Sequence, residues 1–260
     1  MKENLISLLS ELEKREHITI MMAAVTGSHS FGLSSSSSDF DVRFIYVQNE
    51  VKTYLSISKP VDSIQLVEGS LDLVGWDLFK ASRLMLKSNP SVYELVTSPI
   101  QLIDEPTYRR NMLSLMNVAY SKKVLGHHYL RMIKSNIQRL AEEKDTEIKT
   151  FKTWVQVYRS YLTLHYLIQK KSLPPIDVWE LLESVVLEED MKKRMTTIFM
   201  AKQSEDFPKL ASEENLKVLK GTFPFLEENV TKLPVGRDME KELNHINWSI
   251  LKGEIVKWDI

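Results

Sequence analysis

Strand-like patterns occur only in the first 105 of the 260 residues, and this asymmetry limits the possible folds more than any other feature. The segment Ile18 to Thr26 is apolar and partly β-branched, which predicts a buried strand. Phe40 to Val47 alternates as a second strand does, and two more strands are expected around the turn Glu68-Gly69. The expected elements of this part are a helix at 3–15, strands at 18–26, 40–47, 62–67 and 70–74, and a helix at 76–87.

The rest of the chain shows helical periodicity alone, interrupted by proline- and glycine-containing breaks. We therefore predict an α+β domain at 1–105, with a short mixed sheet backed by helices, and an all-helical domain at 106–260. The boundary is expected near 100–108. The expected helices cover 106–117, 121–143, 147–170, 176–203, 214–229 and 237–251, with breaks at Pro174-Pro175, from Gly221 to Pro224, and from Pro234 to Gly236.

Composition excludes several classes of protein. Hydrophobic residues make up 43% and charged residues 27%, which is typical of a soluble globular chain and excludes disorder as its main state. Cysteine is absent, which excludes disulfides, thiolate metal sites and a cysteine nucleophile. This agrees with a reducing cytoplasm, where we expect the protein to be located. The longest apolar stretch, Ile18 to Val25, is too short to cross a bilayer, so no membrane partner is expected.

The most informative window connects the first two predicted strands. The first strand is followed by Gly27-Ser28, then by ten residues that include a run of serines, and then by Asp39-Phe40-Asp41 at the start of the second strand. Side chains at positions i and i+2 of a strand share a face, which puts the two carboxylates side by side, about 6–7 Å apart along the strand. Oxygen ligands of this kind suit one or two hard cations, Mg²⁺ or Mn²⁺.

The Gly-Ser pair suits the binding of phosphate. Backbone N–H groups at the start of a helix, together with the Ser28 hydroxyl, are suited to phosphate oxygens, and Gly27 allows a close approach of the backbone. Ser38 adjoins Asp39 and is placed to orient it through a hydrogen bond. For the other serines, 34–37, a flexible loop without a specific role is the simpler interpretation.

A third carboxylate is needed if two cations are to hold an attacking and a leaving oxygen. The best candidate is Asp72, which is flanked by leucines in a predicted strand, because an unpartnered buried carboxylate is costly there and a metal would remove that cost. Asp62 and Glu68 compete for this role but are expected at the exposed start and turn of a hairpin. Asp77 is expected to cap the following helix instead.

These residues carry a resemblance to a known family. Gly27-Ser28, Asp39-x-Asp41 and the later strand aspartate resemble the DNA polymerase β-type nucleotidyltransferases. The fuller pattern resembles the YcgL/RlaP group of predicted nucleotidyltransferases, some of which are labelled as RNA-repair-pathway proteins. It consists of Gly27-Ser28-x-Ser30-x-Gly32, Ser38-Asp39-x-Asp41, Asp72 to Leu78 with Lys80, Asn89-Pro90-Ser91, Ser98-Pro99-Ile100, Tyr129, Lys152 with Tyr158-Arg159, Pro174-Pro175, and Val235 to Asp238.

The resemblance implies an activity and assigns roles to particular residues. It implies transfer of a nucleoside monophosphate from an NTP with release of pyrophosphate, metal binding by Asp39, Asp41 and Asp72, and phosphate binding by Gly27 and Ser28. The sequence departs from the group where many members carry arginine after the Gly-Ser pair, because it has His29 there. The departure puts in doubt any phosphate or acceptor contact of this position, but not the metal site.

The acceptor is left open by the sequence. Residues 121–171 hold eight Lys and three Arg against three Glu and one Asp, a local net charge of +7, although the whole chain has a net charge of −1. Such a segment favours RNA slightly, or is a set of solvated helix faces. Lys152 and Arg159 lie two turns apart on one predicted helix face, which either binds the nucleotide or is solvated.

Other functions compete with transfer to an RNA end. The alternatives are transfer of AMP to a protein or a small molecule, and a regulatory protein that binds nucleotides without catalysis. Retention of all three carboxylates argues against the second. A metal-dependent glycosyltransferase is disfavoured, because only 38 residues precede Asp39 and such an enzyme needs a larger α/β domain before the motif. The sequence does not define the oligomeric state.

Overall fold

The structure is a computed structural model that describes residues 2–58, 60–142, 146–207 and 212–253. The strands are β1 (Ile18–Thr26), β2 (Phe40–Gln48), β3 (Ser63–Glu68), β4 (Leu71–Asp77) and β5 (Gln101–Asp104). The helices are α1 (Lys2–Glu16), α2 (Gly27–Ser30), α3 (Leu78–Leu86), α4 (Pro90–Thr97), α5 (Pro106–Ala119), α6 (Lys122–Ala141), α7 (Glu147–Lys170), α8 (Val178–Ser184), α9 (Glu189–Ser204), α10 (Ser212–Gly221), α11 (Phe223–Thr231) and α12 (Glu240–Leu251), with a 3-10 helix at Val51–Leu55.

The five strands form one mixed sheet in the order β3-β4-β2-β1-β5. Only the β2–β4 pair is parallel; β1 pairs antiparallel with both β2 and β5, and β3 pairs antiparallel with β4. This confirms the predicted α+β class with a short mixed sheet. The central position of β1 explains its sequence, because eight of its nine residues are buried and no alternation with polar residues is needed.

The core of the sheet forms against the N-terminal helix. Leu9 and Leu12 of α1 join a buried cluster with side chains of β1, β2 and β4 that includes Val42, Phe44 and Leu73. Helices α3 and α4 also pack on the sheet, and α12 packs on α3 and α5. Apolar surface removed from water in this way is the main stabilising contribution to the fold.

The chain divides into two compact units. The first comprises Met1–Ser30, Ser38–Tyr120 and Arg237–Ile260, and the second comprises Phe31–Ser37 and Ser121–Gly236, with structure described for the ranges given above. The all-helical character predicted for the later chain is confirmed in the second unit. The domain boundary predicted at 105/106 stays a prediction.

The second unit is organised around a pair of antiparallel helices. Asn136 of α6 donates to Gln156 of α7 at 3.4 Å, and Ser160 of α7 contacts the Met132 sulfur of α6 at 3.0 Å. The contact positions run in opposite directions along the two helices, as antiparallel packing requires. Helices α8 and α9 pack on α7, α10 packs on α6, and α11 packs on both helices of the pair.

The single helix predicted over 176–203 is wrong, because α8 ends at Ser184 and α9 begins at Glu189. The Gln169 side chain holds the break: its amide group donates to the Val186 carbonyl at 2.8 Å and accepts from the Val186 N–H at 2.9 Å. Within the helical range predicted at 214–229, the break predicted from Gly221 to Pro224 is confirmed, because α10 ends at Gly221 and α11 begins at Phe223. In the described part of the chain, no helix is both long enough and apolar enough to span a membrane.

Candidate functional site

The Gly-Ser turn lies at the end of β1, as the sequence predicts. Gly27 has a φ of +66°, and a Cβ atom at this position would lie 2.1 Å from Oδ2 of Asp41. A side chain is therefore excluded both by backbone conformation and by the carboxylate packed against it. Ser28 lies in the single turn of α2, and within the described residues its hydroxyl makes no hydrogen bond. The turn and the second aspartate of the Asp-x-Asp pair are thus in direct contact.

Two of the predicted metal-binding carboxylates lie on neighbouring strands. Asp41 and Asp72 face each other in the parallel register of β2 and β4, and Asp41 also pairs with Thr26 at the end of β1. Residues far apart in the sequence therefore meet at one position in the sheet. Asp39 lies immediately before β2 and is exposed, so it approaches this position from the loop and not from the strand.

Sequence analysis missed Arg43, which lies between the two facing carboxylates. Its Nη2 atom donates to Oδ2 of Asp72 at 2.9 Å and lies 3.6 Å from Oδ1 of Asp41. Its Nη1 atom donates to the backbone carbonyls of Val42 at 3.1 Å and Asp72 at 3.0 Å. The period of two along a strand was a usable signal, because it places Arg43 on the same face as Asp41.

The electrostatic environment of the carboxylates is uneven. Burial raises the pKa of Asp41 above its ordinary value; the positive charge of Arg43 lowers it, and the charges of Asp72 and Asp39 raise it again. The Oδ1 atom of Asp72 is buried and has no hydrogen-bond partner. Among the described residues, no group of three or more Asp, Glu or His side chains is arranged as a metal cage. The site nonetheless combines mutually repelling carboxylates with an unsatisfied buried oxygen, which is an arrangement suited to a bound cation.

His29 supports the loop that follows the Gly-Ser turn. Its ring stacks on Phe40 with a centroid distance of 4.2 Å and an interplanar angle of 14°, and its Nε2 atom lies 3.4 Å from the Ser38 carbonyl oxygen. The positive form of His29 also acts to lower the pKa of Asp41. His29 is therefore next to the aspartates and packs against the start of β2.

The serine loop, residues 31–37, makes defined contacts within the second unit. The Gly32 carbonyl accepts from Trp179 at 3.1 Å and from Gln203 at 2.8 Å. The Glu205 carboxylate accepts from the Ser36 hydroxyl at 3.1 Å and the Ser37 N–H at 2.9 Å. These contacts hold the loop in a defined conformation, whereas the expectation that it has no specific role stays a prediction.

Lys152 and Arg159, the predicted nucleotide-binding residues of the helical part, both lie on α7. Lys152 is exposed. The Arg159 guanidinium lies 3.9 Å from the centre of the Phe31 ring, a cation–π contact that fixes its direction. Their role in nucleotide binding stays a prediction, as do those of Ser28 and Ser38.

The carboxylates that competed with Asp72 have other roles. Asp62 is about half exposed and pairs with Lys80 and Arg83. Glu68 lies at the end of the β3 strand beside the turn and is exposed. Asp77 accepts from the Phe79 N–H at 2.9 Å and is the N-cap of α3, as the sequence predicts.

A mixed sheet with a Gly-Ser turn beside facing aspartates is the arrangement expected of the polymerase β-type nucleotidyltransferases. The chain belongs to the RNA repair pathway DNA polymerase beta family, RlaP, whose family model matches residues 1–248. It is 28% identical over 255 residues to the uncharacterized protein YcgL of Bacillus subtilis (strain 168), with 95% of each chain covered. A nucleotidyltransferase-like protein from Exiguobacterium sibiricum 255-15 is 14% identical, with 97% of this chain and 92% of that chain covered and a TM-score of 0.31.

Proposed function

We propose that the protein transfers a nucleoside monophosphate from an NTP to a hydroxyl acceptor, with an RNA end as the acceptor. The acceptor oxygen attacks the α-phosphorus, the bond from that phosphorus to the bridging oxygen breaks, and pyrophosphate leaves while the acceptor proton is lost to a base. The observation that carries the proposal is the contact of the Gly27 backbone with Asp41, directly opposite Asp72.

The reaction requires groups that bind phosphate and groups that bind a cation. The backbone N–H groups of the one-turn helix α2 and the Ser28 hydroxyl would bind phosphate oxygens, and Ser38, which adjoins Asp39, would orient it. Asp39, Asp41 and Asp72 would hold Mg²⁺ or Mn²⁺, for which the unsatisfied Oδ1 atom of Asp72 is a suitable ligand. When bound, the metal supplies positive charge to the phosphates during an in-line transfer. Asp72 would also orient the attacking hydroxyl.

The proposed nucleotide contacts of Lys152 and Arg159 are supported by their chemistry. A guanidinium presents a planar fork to phosphate oxygens, and an ammonium provides a flexible point charge. The Phe31 ring, 3.9 Å from the Arg159 guanidinium, packs against one face of that planar group.

The choice of RNA is supported by the charge on α6 and α7. Lys149, Lys152 and Arg159 lie on one face of α7, and Arg131 of α6 is near, because both arginines lower the pKa of His128. We call these four cations the basic strip. In the described part of the chain, no ion pair involves Arg131, Lys149 or Lys152. Lysines and arginines grouped on one helix face suit a phosphodiester chain.

The test is pyrophosphate release with each of the four NTPs, with Mg²⁺ or Mn²⁺, and with and without total RNA. Asp41→Asn is expected to lower release by at least 100-fold, because it removes a ligand of the metal that stabilises the transferred phosphoryl group. The control is Asp206→Asn, a substitution at an exposed aspartate of the helical unit, which is expected to keep activity.

The pattern of results separates the alternatives. RNA-dependent release that Asp41→Asn abolishes supports the proposal. If pyrophosphate is released without RNA and label from ATP is recovered on a protein or a small molecule, then that protein or small molecule is the acceptor and RNA is not. Full activity of Asp41→Asn, or NTP binding without release under every condition, contradicts the proposed catalysis.

A further inference from the structure

Arg43 is held rigidly at the centre of the carboxylate pair. Its two terminal nitrogens reach two backbone carbonyls and the Asp72 carboxylate at 2.9 to 3.1 Å, and the second carboxylate, that of Asp41, is 3.6 Å away. The side chain is 20% exposed, so water provides only part of the solvation of its charge. A guanidinium does not lose its proton in proteins, which makes this a permanent positive charge.

Arg43 contacts the two carboxylates unequally. Asp72 uses one oxygen for Arg43, and its other oxygen is buried without a partner. Asp41 forms the longer ion pair, because its Oδ1 atom lies 3.6 Å from Nη2 of Arg43. Its Oδ2 atom packs against the Gly27 backbone. Two facing carboxylates without a cation repel each other, so the guanidinium removes most of the repulsion that would otherwise act across the β2–β4 pair.

We propose that Arg43 is a built-in cation for the Asp41–Asp72 pair, which keeps the pair together without metal and competes with a divalent ion for Asp72. This inference rests on the proposed function in one respect, namely that the carboxylates bind a divalent ion. Arg43 is thus a positioning residue, and its effect is exerted on the carboxylates rather than on the substrate. A metal bound at Oδ1 of Asp72 would share this carboxylate with the Nη2 atom of Arg43, whose contact is to Oδ2, and the positive charge of the guanidinium would oppose its binding. The two backbone contacts of Nη1 would hold the guanidinium nearby.

The test measures binding of Mn²⁺ alone to the full chain by calorimetry, together with the melting temperature in chelator and in Mn²⁺. No nucleotide is present. Arg43→Gln is expected to melt at a lower temperature than wild type in chelator, because the carboxylates then repel each other. It is expected to bind Mn²⁺ about tenfold more tightly, which corresponds to about 1.4 kcal/mol, and to gain more stability from it. Arg43→Lys keeps the charge but loses the planar fork. Its Mn²⁺ affinity and its melting temperature in chelator are expected to lie between those of wild type and Arg43→Gln.

Two controls make the result specific. Arg83→Gln removes an arginine of the same unit whose ion pair with Asp62 is largely exposed, and is expected to leave Mn²⁺ affinity unchanged. In Asp72→Asn, the further change Arg43→Gln is expected to alter Mn²⁺ affinity by less than twofold, because the contested carboxylate is gone.

The outcomes distinguish this inference from the proposed function. Equal or weaker Mn²⁺ binding by a folded Arg43→Gln protein, with wild type binding normally, overturns the competition and leaves the proposed function untouched. Failure of wild type and both Arg43 variants to bind Mn²⁺ overturns the inference and also the metal role in the proposed function. Tighter binding with a lower melting temperature in chelator supports the inference even if pyrophosphate release is never observed.

Discussion

A largely buried histidine is expected to make the helical unit sensitive to mild acid. His165 of α7 packs between Tyr161 and Phe225, with ring-centroid distances of 4.3 and 6.0 Å, and its Nε2 atom is buried without a hydrogen-bond partner. Burial lowers the pKa of His165 to about 4 from an ordinary value of 6.5. The neutral ring is thus strongly favoured in the folded protein, because the charged form would lose its hydration without gaining a partner.

The free energy of unfolding depends on pH because the pKa of His165 differs between the folded and the unfolded chain. Below pH 6.5 the unfolded chain binds a proton at this residue and the folded chain does not. The free energy of unfolding therefore decreases as the pH is lowered from 6.5 to about 4. The difference of about 2.5 pKa units corresponds to about 3 kcal/mol over the whole range, and about 2 kcal/mol of this is lost between pH 7 and pH 4.5. For a chain of this size, that loss lowers the melting temperature by roughly 4–8 °C.

The assay is the melting temperature of wild type and His165→Phe at half-unit steps from pH 7.5 to pH 4.5. Phenylalanine keeps an aromatic ring between Tyr161 and Phe225 and cannot bind a proton, so its curve is expected to fall less steeply. His165→Gln checks that the change in slope comes from loss of the titrating group and not from ring packing. His245→Gln, at an exposed histidine of α12, is expected to follow wild type. Parallel curves for wild type and both His165 variants would refute the reasoning.

Three further predictions concern the turn, the basic strip and a buried hydroxyl. Gly27→Ala is expected to abolish pyrophosphate release and to lower the melting temperature, because the new Cβ would displace Asp41; unchanged release would contradict the contact. Reversing the charge of two basic-strip lysines, with Lys149→Glu and Lys152→Glu together, is expected to weaken RNA binding more than tenfold at 100 mM salt and to flatten its salt dependence, as measured by fluorescence anisotropy. Tyr54→Phe is expected to lower the free energy of unfolding in urea by about 1–3 kcal/mol, because it removes the 2.6 Å hydrogen bond to buried Asp77; a change below 0.5 kcal/mol would show that the bond adds little.

Local patterns were sufficient to predict the parts of the fold in which one period dominates. The strands β1 and β2 begin at the predicted residues, and β3 and β4 flank the predicted Glu68-Gly69 turn. The short elements α4 and β5 were not predicted, because each spans eight residues or fewer and offers little periodicity. Asn89 caps α4 through hydrogen bonds to the Ser91 and Val92 N–H groups, and Asn89-Pro90 was interpreted only as the end of the preceding helix.

Features that depend on distant residues were beyond sequence reasoning. The break between α8 and α9 contains no proline or glycine, and it is held by a side chain 17 residues away. The facing of Asp41 and Asp72 required the parallel pairing of β2 with β4, which no local pattern specifies. The site residues were predicted from their chemistry and order, whereas the contact of Arg43 with both carboxylates required the register of the sheet.

The serine loop belongs to the helical unit, although in the sequence it lies between two segments of the first unit. Any division of the chain into fragments must take account of this. The chain passes between the two units four times, after Ser30, Ser37, Tyr120 and Gly236. A fragment that ends at Tyr120 would retain the loop but lose Trp179, Gln203 and Glu205, which hold it. The segment between the Gly-Ser turn and the first aspartate would then lack its supports. A fusion or exchange that replaces the helices must therefore supply matching hydrogen-bond partners for this loop.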